Sequence, residues 1–150
     1  MLHTPIYDVR NAPYCGPTAI AAITGEPISI IRDVIRSQIG TKRNGHARAV
    51  MGISCVTMIK TMQILGWQVV AHTNCTLRYK GAYRLNDFLE LVQMGTVRGP
   101  HIVEVTGHYY AVDEDEICDT HLRLPLEIHR FKRGRQRWVK RWWKFEREAP

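Results

Sequence analysis

Apolar residues recur at helical spacing through the first two thirds of the chain. The segment from Pro17 to Thr24 is apolar on nearly every side and is followed by Gly25, so the sequence predicts a buried helix there. Spacing and end signals predict three more helices: Pro27 to about Ser37, Ser54 to Leu65 with Ser54 as N-cap, and Asp87 to Met94 with Asn86 as N-cap.

Strand patterns become frequent after Gly99-Pro100. The predicted strands are Trp67 to Ala71, His101 to Thr106, Tyr109 to Asp113 and Ile117 to Thr120. If Glu114 and Asp115 are the two turn residues of a hairpin, Val112 faces Ile117 across it. Helices followed by an antiparallel sheet indicate the α+β class.

The composition indicates one globular unit that needs no disulfide or structural metal to fold. A chain of 150 residues can bury about 68–70% of the surface that it exposes when unfolded. The four cysteines have no CxxC spacing and follow no secretory signal, which favours free thiols in a reducing cytoplasm. No apolar stretch approaches the ~20 residues of a membrane span, no spacing supports a zinc site, and no cofactor is expected.

Cys15 stands just before the predicted buried helix. The free N–H groups and the positive end of a helix favour a thiolate, typically by ~0.3–1 kcal/mol for a nearby negative charge. Free cysteines are also among the most buried residues, so a structural role for Cys15 is the competing interpretation.

His108 supplies a base for this thiol. In the predicted hairpin register, His108 and Asp119 are diagonal neighbours on one side, ~7–8 Å apart. A carboxylate so placed fixes the tautomer of an imidazole and stabilises the imidazolium that forms when the ring takes a proton. His121 is a rival base, because the same register places it directly opposite His108.

These residues carry a resemblance. Cys15-Gly16-Pro17-Thr18-Ala19, the run from Gly107 to Val112, and Asp119-Thr120 resemble the papain-like cysteine peptidase superfamily. They are most similar to the bacteriocin-processing peptidase domains of ABC exporters and to short bacteriophage proteins of that fold. The resemblance implies helices packed on an antiparallel sheet, with a buried helix that starts at the nucleophile. It also implies that Cys15 is the nucleophile, His108 the base and acid, and Asp119 the residue that orients His108.

The chain departs from that family at the oxyanion glutamine. The family usually has this residue about six positions before the cysteine, where the present sequence has Val9. Asn11 carries the nearest amide and could hold an oxyanion together with the backbone N–H of Cys15, or it could simply form a turn beside Pro13. Losing one such donor typically costs ~10²–10³ in rate, so a slow enzyme rather than an inactive one is expected if Asn11 does not contribute.

The net charge of +7 lies entirely at the C-terminal end. Residues 130–150 hold nine basic and two acidic side chains, whereas residues 1–129, the predicted catalytic domain, hold twelve of each. Aromatic residues interleave with the basic ones. Either a basic amphipathic helix from Arg137 onward or a hairpin that turns at Arg133-Gly134 fits this pattern. The candidate polyanion-binding residues are Arg133, Arg135, Arg137, Lys140, Arg141 and Lys144.

The sequence thus predicts a cysteine peptidase, or a related thiol hydrolase of amide bonds, that acts on a peptide or protein in the cytoplasm. The alternative is a weakly active or inactive protein of the same fold, which contacts nucleic acid, an anionic surface or a virion protein through its basic C-terminus. If a bacteriophage encodes the chain, it would lie in the host cytoplasm or the virion. A cell-wall endopeptidase shares the chemistry but would need an export signal.

Overall fold

The computed structural model describes residues 1–10, 14–40, 42–43, 46–47, 50–74 and 84–150. Within these ranges the helices are α1 (Cys15–Thr24), α2 (Ile28–Ile39), α3 (Cys55–Ile64) and α4 (Leu85–Gln93). The strands are β1 (Lys42–Arg43), β2 (His46–Ala47), β3 (Trp67–Asn74), β4 (His101–Val105), β5 (His108–Asp113), β6 (Glu116–Cys118), β7 (Pro125–Glu127) and β8 (Val139–Arg147).

Six of these strands form one antiparallel sheet in the order β3-β8-β4-β5-β6-β7, while β1 and β2 pair separately. The sheet is buried on both faces. One face packs with α1, α2 and α3, and its largest buried side chains include Ile102, Tyr109, Trp143 and Phe145. The other face packs with α4 and buries Val103, Tyr110, Val112 and Ile117 among others. The α+β prediction, with N-terminal helices on an antiparallel sheet, is therefore confirmed.

The predicted elements are close to those in the structure, with one wrong cap. Ser54 accepts a hydrogen bond from the Thr57 N–H, as expected of an N-cap. The helix predicted to begin at Asn86 instead starts at Leu85, after Arg84 as N-cap. The Asn86 side chain donates to Glu90 at 2.7 Å within the helix, so this asparagine supports the helix from inside rather than capping it.

The basic C-terminus is not a helix. Its last regular element is strand β8, which lies between β3 and β4, and the predicted helical arc from Arg137 onward is wrong. The hairpin alternative is right about a turn at Arg133-Gly134 and wrong about the pairing, because β7 pairs with β6 and β8 pairs with two strands from earlier in the chain. Trp143 and Phe145 of β8 are buried on the face of the sheet that packs with α1, α2 and α3. This burial favours a strand in the sheet over a helix or a local hairpin.

Candidate active site

Helix α1 places Cys15 at its first turn. Cys15 is the first residue of the helix, Tyr14 precedes it in an extended conformation, and residues 16–23 are all buried. A Cβ atom at Gly16 would lie 2.6 Å from the Ile53 side chain, so a larger residue beside the cysteine would have to displace Ile53. The helix therefore holds the sulfur at a fixed place, near backbone N–H groups that have no partner within the helix.

The β5–β6 hairpin positions His108 and Asp119. Its register pairs Asp113 with Glu116 and Val112 with Ile117, which is the register that the sequence predicts. His108 begins β5, directly after Gly107, whose φ of +70° starts the strand from a tight turn. The Nε2 atom of His108 lies 2.7 Å from Oδ1 of Asp119.

The histidine and the carboxylate form a buried charged pair. Burial disfavours both charges, but hydrogen bonds to Asp119 and Cys15 outweigh it and raise the pKa of His108 to about 9. Burial likewise acts to raise the pKa of Asp119, yet the hydrogen bond from His108 and its charge hold that pKa below the usual carboxyl range. The imidazolium is therefore the favoured form of the ring at neutral pH.

The thiol faces the same imidazole. Burial acts to raise the pKa of Cys15, but the hydrogen bond with His108, a backbone hydrogen bond from Tyr109 and the nearby positive charge lower it below the usual thiol value. Because Nε2 of His108 is engaged by Asp119, Nδ1 is the ring nitrogen left for the sulfur. The structure thus places His108 between Cys15 and Asp119, with the ring hydrogen-bonded to the carboxylate.

Two tyrosines that the sequence does not single out follow His108 in β5 and help to hold the site in place. The Tyr110 ring meets the His108 ring edge-on, with centroids 4.6 Å apart, and packs on Phe131 at 5.8 Å. The Tyr109 hydroxyl donates to the Ile53 carbonyl at 3.0 Å, which ties β5 to the loop before α3. The only sequence signal for these tyrosines is that they directly follow His108. Alternation along the strand sends their two rings to opposite faces of the sheet.

His121 lies beside His108 rather than in its place. The two rings are nearly parallel, at 15°, with centroids 6.0 Å apart. Asp119 accepts its side-chain hydrogen bond from the His108 ring, whereas His121 acts on it through its backbone and, more weakly, through its charge. The carboxylate therefore orients His108, and His121 covers one side of that ring.

We expect His121→Ala to change the site far less than removal of His108. The alanine variant keeps the backbone N–H that Asp119 uses and loses only the covering ring, so the rate of Cys15 alkylation near neutral pH should fall by less than about tenfold. Second-order rate constants for iodoacetamide, followed by intact-mass spectrometry, measure this effect. A loss as large as that of His108→Ala would instead make His121 the base.

Asn11 and Val9 are the two positions that bear on the oxyanion site. Asn11 lies outside the described residues. Val9 is half-buried and packs against the core around α1. An apolar side chain therefore occupies the position where papain-like peptidases usually have glutamine, and Val9 cannot donate a hydrogen bond to an oxyanion.

The six basic residues proposed for polyanion binding do not share one surface. Arg133 and Arg137 are exposed in the turn before β8, and Lys140 is half-buried in β8. The Arg135 guanidinium points inward and donates to the carbonyls of Ile128 and Phe131. The last two are paired with acids: Arg141 with Glu104 at 2.7 Å and Lys144 with Glu146 at 3.2 Å.

Other sulfur and metal chemistry has little support. Cys55 and Cys118 are free thiols, and burial raises the pKa of Cys118 to about 12. Cys75 lies outside the described residues. In the described ranges no group of three or more His, Cys, Asp or Glu side chains could hold a metal ion. None of the helices described above is long and apolar enough to cross a membrane.

Comparison with known proteins finds a solved structure of similar fold. No family model matches the sequence, and no curated protein matches it. A double-glycine motif protease from an AMS/PCAT transporter, solved as a crystal structure in complex with the leader peptide, is similar over 95% of this chain and 89% of its own. The TM-score is 0.50 and the sequence identity is 15%. The likeness is one of fold, and the helices on a six-stranded antiparallel sheet are consistent with the papain-like architecture.

Proposed function

We propose that this protein is a cysteine peptidase, or a related thiol hydrolase of amide bonds, that uses Cys15, His108 and Asp119. One observation carries the proposal. Cys15, at the start of a buried helix, lies beside His108, whose Nε2 atom is 2.7 Å from the buried Asp119 carboxylate. A thiol of lowered pKa next to an oriented imidazole is an activated nucleophile.

The first half of the reaction forms a thioester. At neutral pH His108 already holds the proton, and the Cys15 thiolate attacks the carbonyl carbon of the peptide bond. The carbonyl oxygen gains the negative charge, and the Cys15 N–H, which has no partner within α1, is in place to donate to it. His108 then gives its proton to the leaving amine, and the carbon–nitrogen bond breaks.

The second half restores the enzyme. His108, now neutral, takes a proton from water, and the resulting hydroxide attacks the thioester carbonyl. The carbon–sulfur bond breaks, the acid product leaves, and the thiolate and imidazolium are regenerated. Asp119 holds His108 in one tautomer and stabilises its positive charge in both halves.

A peptide is the substrate class that fits best. The structural neighbour is a protease bound to a leader peptide, and the same fold surrounds the present cysteine. We therefore propose a peptide or protein substrate, with double-glycine sequences among those to test first. The resemblance to short bacteriophage proteins, and a location in the host cytoplasm or virion, stay predictions.

Cleavage of a peptide pool tests this function. Peptides from a bacterial proteome digest, supplemented with synthetic double-glycine peptides, are incubated with the wild-type protein and with Cys15→Ala, and new termini are identified by mass spectrometry. We expect new termini that depend on Cys15. Cys118→Ala is the matched control, because that buried thiol lies opposite Ala111 in the hairpin, and it should cleave the same bonds. Identical products from wild type and Cys15→Ala would contradict the proposal.

A second candidate rests on Val9. Because this residue is apolar and packs toward the core, it gives the oxyanion no donor at the position where papain-like peptidases usually have glutamine. A protein of this fold with weak or no turnover would bind rather than cleave, with nucleic acid, an anionic surface or a virion protein as the partner of its basic C-terminus. A reactive Cys15 with no cleavage of any peptide in the pool would favour this candidate.

The pH dependence of hydrolysis follows from the two shifted groups. The thiolate forms below the usual thiol range because the pKa of Cys15 is lowered, and the imidazolium persists until the pKa of about 9. We expect kcat/KM to rise as Cys15 loses its proton and to fall as the pH passes about 9, where His108 can no longer protonate the leaving amine. Initial rates across the pH range check this. A rate that keeps rising above pH 9 would show that the imidazolium is not the working acid.

A further inference from the structure

We propose that a cationic rim beside the site, formed by Arg84, Arg133, Arg137 and Trp138, binds an acidic segment of the peptide substrate. The inference rests on the proposed peptidase function and specifies which peptides the site prefers. Charge on this rim would raise the local concentration of acidic peptides and hold them across the reactive thiol.

Strand register places the rim near the catalytic histidine. Val105 pairs with His108 on one side and with Val139 on the other, so the start of β8 lies two strands from His108. Neighbouring strands are about 4.8 Å apart, which puts Val139 about 10 Å from His108. Trp138 and Arg137 directly precede Val139, at the same end of the sheet.

The turn before β8 also contacts Tyr110, the residue that packs on His108. A Cβ atom at Gly134 would lie 2.8 Å from the Tyr110 hydroxyl, so the turn sits against Tyr110, whose ring packs on His108. Arg133 directly precedes this glycine, and the Arg137 side chain lies close to it. Both arginines are near enough for their charges to act on the Tyr110 hydroxyl. Two exposed guanidinium groups therefore stand one side chain away from the catalytic histidine.

The rim is held in a defined conformation. The Leu85 N–H donates to the Arg137 carbonyl and the Asn86 N–H to the Arg135 carbonyl, both at 2.8 Å, which ties the turn to the start of α4. The Arg84 guanidinium lies 4.5 Å from the centre of the Trp138 ring and donates to Gln136 at 3.2 Å. A surface fixed in this way loses less entropy on binding than flexible basic side chains would.

Within the described part of the chain, no acidic side chain forms an ion pair with these arginines. Of the ion pairs among the described residues, none includes Arg84, Arg133 or Arg137, whereas Arg141 and Lys144 each have an acidic partner. Asp87 lies next to Arg84, but its carboxylate accepts from the Arg84 backbone N–H rather than from the guanidinium. Asp119 is engaged by His108. The rim therefore carries three guanidinium charges that are available to a partner.

An acidic peptide fits this surface better than a nucleic acid does. Single-stranded nucleic acids need open aromatic faces on which successive bases stack, and Arg84 already covers one face of Trp138, the exposed aromatic residue of the rim. The rim also lies beside a thiol suited to amide bonds. Carboxylates spaced along a peptide match separate guanidinium groups by forming charge-assisted hydrogen bonds.

The test compares two peptides that differ only in charge. Each carries a chloroacetamide on a central side chain, flanked on both sides by glutamates in one peptide and by glutamines in the other. The Cys15 thiolate displaces chloride and forms a thioether, which intact-mass spectrometry measures. We expect the glutamate peptide to modify Cys15 about fivefold to tenfold faster at low salt, and less than about twofold faster near 0.5 M salt.

Charge substitutions then locate the effect. Arg133→Gln combined with Arg137→Gln should remove most of the preference, mainly by lowering the rate with the glutamate peptide. Arg98→Gln combined with Arg147→Gln removes the same charge from the opposite end of the sheet and should keep the preference. Substitution is needed because deleting residues 130–150 would remove β8, an interior strand that pairs with both β3 and β4.

The outcomes separate the two proposals. Equal rates for the two peptides, with Cys15 still modified before Cys55, would overturn the acidic-peptide inference and leave the peptidase proposal intact. If Cys15 shows no preference over Cys55 with either peptide, the proposed function fails. An oligothymidylate of equal charge serves as competitor: protection of Cys15 stronger than that by a glutamate peptide without the chloroacetamide would assign the rim to nucleic acid and overturn the inference.

Discussion

His108→Ala should lower kcat/KM for the cleaved peptides by about 10²–10⁴-fold. The variant loses the group that takes the thiol proton and returns it to the leaving amine. It also loses the hydrogen bond and the positive charge that lower the pKa of Cys15, so burial is left to raise that pKa. Steady-state cleavage and the rate of Cys15 alkylation near pH 6 should therefore fall together.

A matched control separates this effect from the general loss of an imidazole. His129→Ala removes an exposed ring that pairs with Glu127 at 3.5 Å and does not contact Cys15. It should leave both rates within about twofold, as is usual for surface substitutions. If His108→Ala lowered neither rate while remaining folded by circular dichroism, His108 would not be the base.

Asp119→Ala should have the second large effect, about 10²-fold or more in kcat/KM. His108 then loses its 2.7 Å partner and the buried negative charge, so the pKa of the ring should fall from about 9 toward its ordinary value. Titration of the His108 ring by NMR measures this fall directly. The imidazolium would then be lost at a lower pH, and the alkaline limb of the activity profile should move down with it.

A conservative variant distinguishes orientation from charge. The amide oxygen of Asp119→Asn can still accept from the His108 Nε2–H, so this variant should recover part of the rate while the pKa of His108 stays lowered. Asp115→Asn, in the turn of the same hairpin, is the control and should change neither quantity. An unchanged pKa of His108 in Asp119→Ala would contradict the assigned role of the carboxylate.

The β5–β6 hairpin could be predicted from the sequence because its information is local. Alternation within β5 and β6, together with two turn residues, fixes which side chains face one another, and the structure has Val112 opposite Ile117. Cys15 could be placed at a helix start for a similar reason, since Pro17 and Gly25 mark the two ends of α1. That the hairpin brings His108 to this particular helix end depends on tertiary packing, and only the resemblance to papain-like peptidases indicated it.

The C-terminal segment could not be read in the same way. Its aromatic and basic residues fit a helical arc, but β8 pairs with β3 and β4, whose residues lie far away in the sequence. Such contacts outweigh local preference and leave no signal in a short window. For the same reason, nothing local predicted that Arg84 would meet Trp138, or that the turn at Gly134 would lie against Tyr110.

Selective labelling tests the central claim most directly. A thiol-reactive label is added at limiting dose near pH 6, and peptide mapping measures its distribution among Cys15, Cys55, Cys75 and Cys118. If Cys15 is a thiolate paired with the His108 imidazolium, it should take up most of the label, and His108→Ala should abolish that preference. Equal labelling of all four cysteines in the wild-type protein would contradict the proposed enzyme.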